Sequence, residues 1–100
     1  MPKIKHIAVF EFKPACSAAD QARFWKEIQS LPKNIPGILE YTGGPNVSSE
    51  GLTQGFTNSF VMTFESVAAR DNYLPHPFHQ AVVQVVLPML ERIVVIDHEV

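Results

Sequence analysis

Cysteine is almost absent: Cys16 is the one thiol in 100 residues. A lone thiol builds no disulfide framework and leaves no Cys-based zinc site. Charge is scarce as well, at 18% Asp, Glu, Lys and Arg where globular chains average about 25%. The Lys and Arg residues are scattered, the net charge is −2 and the pI is near 6.0. With no basic run to neutralise phosphates, nucleic acid is not an expected partner. No apolar stretch approaches the ~20 residues that span a bilayer. The longest, around Ala81–Leu90, is broken by Gln84 and Pro88. Met1–Lys5 runs straight into a strand pattern without the apolar run of a secretory signal. The chain therefore reads as cytoplasmic, with no membrane partner, and the Asn46-Val47-Ser48 sequon is expected to be silent.

What is abundant is apolar surface, at 46% of residues. The length suits a single domain over residues 1–100. A fold of this mass exposes roughly 5,700 Å² and buries about 65% of its unfolded surface, enough for one core. With so few charges, part of the outer surface is expected to pack against another copy.

Residues 3–13 alternate: Ile4, His6, Ala8, Phe10 and Phe12 share one face, and Ile7 and Val9 lie on the other between charged ends. Pro14 ends that strand. Ser17 with Asp20 reads as a capping pair before a helix carrying Gln21, Phe24, Trp25, Ile28 and Leu31. Pro32 and the Pro36-Gly37 turn are expected to close it. A strand over about 38–42 runs into a Gly-, Ser- and Asn-rich loop, 43–55. Phe56–Phe64 alternates again, with Phe56, Asn58, Phe60, Met62 and Phe64 on one side. Ser66 caps a short helix, Pro77 suits the first turn of the next, and Arg92–Glu99 reads as the last strand. The order strand, helix, strand, strand, helix, strand predicts an α+β fold: a ferredoxin-like βαββαβ chain with a four-stranded antiparallel sheet and its helices on one face. The other face stays half apolar, and a homodimer packing sheet against sheet, a dimeric α+β barrel, would cover it.

The chemistry-bearing residues are few. His6 lies in mid-strand among core positions, either bonded to a backbone group or lining a cavity. Tyr73, His76 and His79 cluster in Tyr73-Leu74-Pro75-His76-Pro77-Phe78-His79. His79 leans towards the apolar face of Val82, Val83 and Val86, whereas His76, held between prolines, reads as a capping or loop residue. Three readings compete. In one, His79 is a general base, Tyr73 donates to a developing enolate and His6 sets the polarity of a cavity. In another, His6, His76 and His79 bind a metal, but no nearby Asp or Glu completes that site. In the last, all are structural, in a binding or scaffolding module. Gly43-Gly44-Pro45-Asn46 opens no helix and is not a phosphate loop. Ser48 and Ser49 show no nucleophile elbow, and His98 is expected to be solvated.

Together these runs resemble the stress-responsive A/B barrel (Dabb) family over nearly the whole length. The marks are Lys5-His6-Ile7, Ile35-Pro36-Gly37-Ile38, Gly55-Phe56-Thr57, Val61-Met62-Thr63-Phe64-Glu65-Ser66, the Tyr73–His79 run and a closing Val95-Ile96-Asp97. The resemblance implies the same ferredoxin-like dimer. The chain is similar in length and in its histidines to the olivetolic acid cyclase-like branch, which closes a linear poly-β-keto chain by intramolecular aldol condensation without a cofactor. Carried over by motif, the tyrosine–histidine pair of that branch falls on Tyr73 and His79 and its supporting first-strand histidine on His6. His76 matches a histidine with no catalytic role. The implied ligand is a small polyketide-like or phenolic molecule, and Phe24, Ile28, Val61, Phe78, Val82 and Val86 are expected to line its pocket. A cofactor-free or haem-degrading monooxygenase shares the implied barrel and is an alternative.

Overall fold

The computed structural model describes residues 2–100. Four strands, β1 (Ile4–Phe12), β2 (Ile38–Pro45), β3 (Asn58–Phe64) and β4 (Leu90–Glu99), form one antiparallel sheet in the order β2-β3-β1-β4. Four helical segments join them: α1 (Ala18–Gln29), the single turn α2 (Leu31–Asn34), α3 (Val67–Tyr73) and α4 (Pro77–Val86). A 3₁₀ turn, Leu87–Met89, leads into β4. The ferredoxin-like order expected from the pattern is the order found.

Side-chain oxygens and one imidazole start the helices. Ser17 Oγ accepts from the Asp20 amide, Ser66 Oγ from the Ala69 amide, and His76 Nδ1 from the Phe78 amide. Each satisfies an orphan donor of a first turn. Pro32 does not close the first helix. Ser30 ends α1, and Pro32 sits in the first turn of α2, where a missing N–H costs nothing. β2 also runs further than its composition suggests, through Gly43-Gly44-Pro45, because β3 offers Phe60, Ser59 and Asn58 as partners.

The core lies between one sheet face and the helices. Ile4, His6, Ala8 and Phe10 of β1 point into it beside Phe60, Met62 and Phe64 of β3, while Phe24 and Ile28 of α1 and Val82 and Val86 of α4 close it from above. The Phe10 and Phe24 rings meet at 4.8 Å between centroids. β1 and β3 supply most of the buried sheet positions, whereas β4's inward residues Ile93 and Val95 are 36% and 48% exposed, so the helices leave a cleft beside that strand.

Candidate active-site cavity

That cleft is a cavity of about 350 Å³, within the range of small-molecule sites. Phe24, Ile28 and Leu31 form its α1–α2 wall, Val82, Val83 and Val86 its α4 wall, and Ile93 and Val95 its β4 floor. Its ionisable and hydroxyl-bearing lining is His6, Tyr73 and His79. Residues far apart in the chain thus converge on one apolar space.

Tyr73 ends α3 and His79 lies in the first turn of α4. The intervening turn folds their rings together, with centroids 4.1 Å apart and planes inclined by 34°. His79 Nδ1 lies 3.0 Å from the Leu74 carbonyl. A carbonyl only accepts, so Nδ1 carries the hydrogen and Nε2 keeps its lone pair. Burial, the largest influence, holds the His79 imidazole below its ordinary 6.5, with His6 and His76 adding to the effect and the Leu74 bond opposing it. Burial also pushes the Tyr73 hydroxyl above its ordinary range, and the charge of Asp97 raises it further. Tyr73 is thereby kept a protonated hydrogen-bond donor and His79 a neutral base.

His6 approaches the Tyr73 ring at 5.8 Å and the Phe64 ring at 5.7 Å, both edge-on. Its partner is not a backbone group. His6 Nδ1 donates to Asp97 Oδ1 at 2.8 Å, and the other oxygen of Asp97 accepts from Arg70 Nη1 at 2.5 Å. Arg70 Nε in turn donates to Asp71 at 2.9 Å. The antiparallel register of β1 and β4 sets His6 opposite Asp97, so a carboxylate fixes the ring and its tautomer from behind.

The expected pocket lining divides. Phe24, Ile28, Val82 and Val86 line the cavity; Val61 and Phe78 do not. Val61 is paired with the outward-facing Ile7 and lies on the opposite sheet face from Phe60 and Met62, as strand alternation requires. Phe78 lies in a surface hollow with Arg23, Lys26 and Glu27, about a third of a helical turn from His79. His76 serves as the cap of α4, and His98 is exposed. Among the described residues no group of three or more His, Cys, Asp and Glu side chains is placed to hold a metal ion.

Fold and site together define a ferredoxin-like α+β domain with an apolar cavity that carries a tyrosine–histidine pair. The stress responsive A/B barrel domain (Dabb) matches residues 4–100, and the chain belongs to that family. Olivetolic acid cyclase of Cannabis sativa is 28% identical over 95% of this chain and 94% of its own. The solved structure of At3g17210 from Arabidopsis thaliana is 33% identical over 95% of this chain and 92% of its own, with a TM-score of 0.91. A dimeric ferredoxin-like protein of unknown function from Jannaschia sp. CCS1 is 25% identical over 98% and 99%, with a TM-score of 0.85. Among the described residues no helix is long and apolar enough to cross a membrane.

Proposed function

We propose that the cavity binds a small, largely apolar polyketide-like or phenolic ligand and that its chemistry is cofactor-free aldol cyclisation. The observation that carries the reading is the pair of stacked rings, Tyr73 and His79 at 4.1 Å, set in the wall of an apolar cavity. In this reaction His79 Nε2 removes a proton from a carbon between two carbonyls, and Tyr73 donates to the enolate oxygen that forms. The enolate carbon attacks a carbonyl further along the same chain, making the new carbon–carbon bond. The resulting alkoxide takes the proton back from the imidazolium, and loss of water leaves the ring. The apolar walls fold a flexible chain so that the reacting carbons meet. His6, tethered to Asp97, is assigned a supporting role beside Tyr73. The likeness to olivetolic acid cyclase supports this reading, as does the burial that holds the His79 imidazole below its ordinary range.

We further propose a homodimer through the outer sheet face, where Ile7, Val9, Val61, Val94 and Ile96 form an apolar band. The dimeric Jannaschia protein supports it.

The test is NMR of the His6 and His79 rings during titration with alkylresorcinols and alkylresorcylic esters, which mimic a cyclised product. Saturable shifts of both rings, weakened by Tyr73→Phe, are the expected result, and turnover of β-polyketone analogues should then be lost in His79→Ala. Shifts without any turnover would identify a binding protein. If neither ring responds to any of these ligands, the histidines are structural and the reading is wrong.

A further inference from the structure

The turn between α3 and α4 reads Leu74-Pro75-His76-Pro77, and its two prolines have no amide hydrogen to give. The Leu74 carbonyl, at the C-terminal end of α3, is therefore short of backbone donors. Among the described residues its partners are two side chains from the start of α4, His79 Nδ1 at 3.0 Å and Gln80 Nε2 at 2.7 Å. A carbonyl oxygen has two lone pairs, so these two bonds fill it. Gln80 is tied into the same turn a second time, its amide donating to the His76 carbonyl at 3.0 Å. The His76 amide in turn donates to the Tyr73 carbonyl at 3.1 Å. Gln80 itself is exposed and lies outside the cavity lining.

A neutral imidazole has one N–H and can carry it on either nitrogen. Only with the hydrogen on Nδ1 does His79 keep the Nε2 lone pair that proton abstraction uses. The Leu74 oxygen selects that form, because a ring with its hydrogen on Nε2 would set two lone pairs against each other there. The selection is as firm as the position of that oxygen, and Gln80 is the second tether on it. We infer that Gln80 is a positioning residue for His79: by holding the Leu74 carbonyl against Nδ1, it keeps the ring in the tautomer that leaves Nε2 free. With that tether gone, water takes the vacated lone pair, the carbonyl is free to turn outward, and the form with hydrogen on Nε2 becomes populated. His6 is the contrasting case. Its Nδ1 is held at 2.8 Å by Asp97, which the strand register sets opposite it, so its tautomer does not depend on Gln80. The inference deepens the reading of His79 as the base and rests on it for the effect on turnover.

Long-range proton–nitrogen NMR on protein with isotope-labelled histidine, at mildly alkaline pH, reads the tautomer of each ring. Wild-type His79 is expected with its hydrogen on Nδ1. Gln80→Met keeps the length of the side chain and removes its donor. It should draw the two His79 nitrogen shifts together as the tautomers mix, with the His6 pattern unchanged. Gln80→Glu, whose carboxylate cannot donate, should do the same, and Gln80→Lys, which again offers an N–H at that reach, should restore the wild-type pattern. Turnover of a β-polyketone analogue should follow the tautomer, with kcat lower by about tenfold and KM little changed. A wild-type His79 tautomer retained in folded Gln80→Met and Gln80→Glu overturns the inference, as does a wild-type ring that already carries its hydrogen on Nε2. An equal change at His6 overturns it too, since that marks a general loosening of the fold. If the His79 tautomer responds as expected but the wild-type protein turns nothing over, the positioning role stands and the cyclisation reading falls alone.

Discussion

His79 donates through Nδ1 to a carbonyl and keeps Nε2 free in a half-buried setting that penalises the imidazolium. The consequence is a sign-definite pH dependence. Because its folded-state value lies below the ordinary 6.5, the unfolded chain takes up a proton first as the solution is acidified. The unfolded state then binds more protons than the native state, so stability rises with pH across that window. This contribution is present above about 6.5 and is lost as pH falls from there towards the depressed folded value. Urea unfolding measured at a series of pH values should show a decline on the acid side that is shallower in His79→Gln. Equal slopes in the two proteins would contradict the assignment. At this scale, much of the site is legible in the chain. Tyr73 and His79 are six positions apart around a proline-held turn, and His6 betrays itself as the one polar residue on an apolar strand face. Asp97 carries no such signal. It stands 91 positions from His6, and only the pairing of the first strand with the last brings them together. Val61 was legible but is easily misassigned: with Phe60 and Met62 on the core face, alternation alone sends it to the other side.

Among the elements, β2 is the one whose composition argues most against it. Glycine and proline are depleted in strands, yet Gly43-Gly44-Pro45 continues the ladder at the sheet edge, where proline is tolerated. Gly43 has a packing reason to be there. A Cβ built on it would lie 2.8 Å from Tyr41 Oη, 2.9 Å from Phe60 Cβ and 2.9 Å from Trp25 Cζ3. Phe60 and Tyr41 belong to strands and Trp25 to α1, so none can retreat freely, and Tyr41 is buried enough for its hydroxyl to be pushed up to about 12. Gly43→Ala should therefore cost about 1–3 kcal/mol through overpacking. Gly44→Ala is the control, since nothing stands within 4 Å of its Cβ position. Chemical denaturation of the pair decides it, and an equal effect at both positions would show that backbone freedom, not crowding, is what matters. Element order was legible because strand and helix periods alternate cleanly along the chain. Boundaries were less so, since a residue such as Pro32 or Gly43 takes its role from the segment it meets, and that partner is distant in sequence.

For the whole molecule, the decisive quantity is surface left uncovered. The isolated chain exposes 6113 Å², more than the roughly 5,700 Å² typical of this mass, and β4 contributes apolar side chains on both faces. Val94 and Ile96 are 44% and 59% exposed on the outer face, and the register sets them beside Val9 and Ile7, with Val61 completing the band from β3. Polar contacts flank that band: Lys5 donates to the Thr63 hydroxyl at one end and Arg92 pairs with Glu11 at the other. An apolar centre within a polar rim is the anatomy of a self-association surface. The proposed dimer accounts for a chain with few charges and a half-apolar outer sheet face, but it leaves the cavity, on the helix side, within a single subunit. The two properties should therefore separate. Ile96→Asp puts a carboxylate in the middle of the band and should turn a particle of twice 11.2 kDa into a monomer by light scattering. The same variant should retain the His79 response to neutral ligands, because Ile96 and His79 lie on opposite sides of the sheet. A wild-type monomer at micromolar concentration would remove the dimer. Loss of the His79 response on dissociation would instead mean that association shapes the cavity through β4, whose inward residues Ile93 and Val95 are both floor and edge.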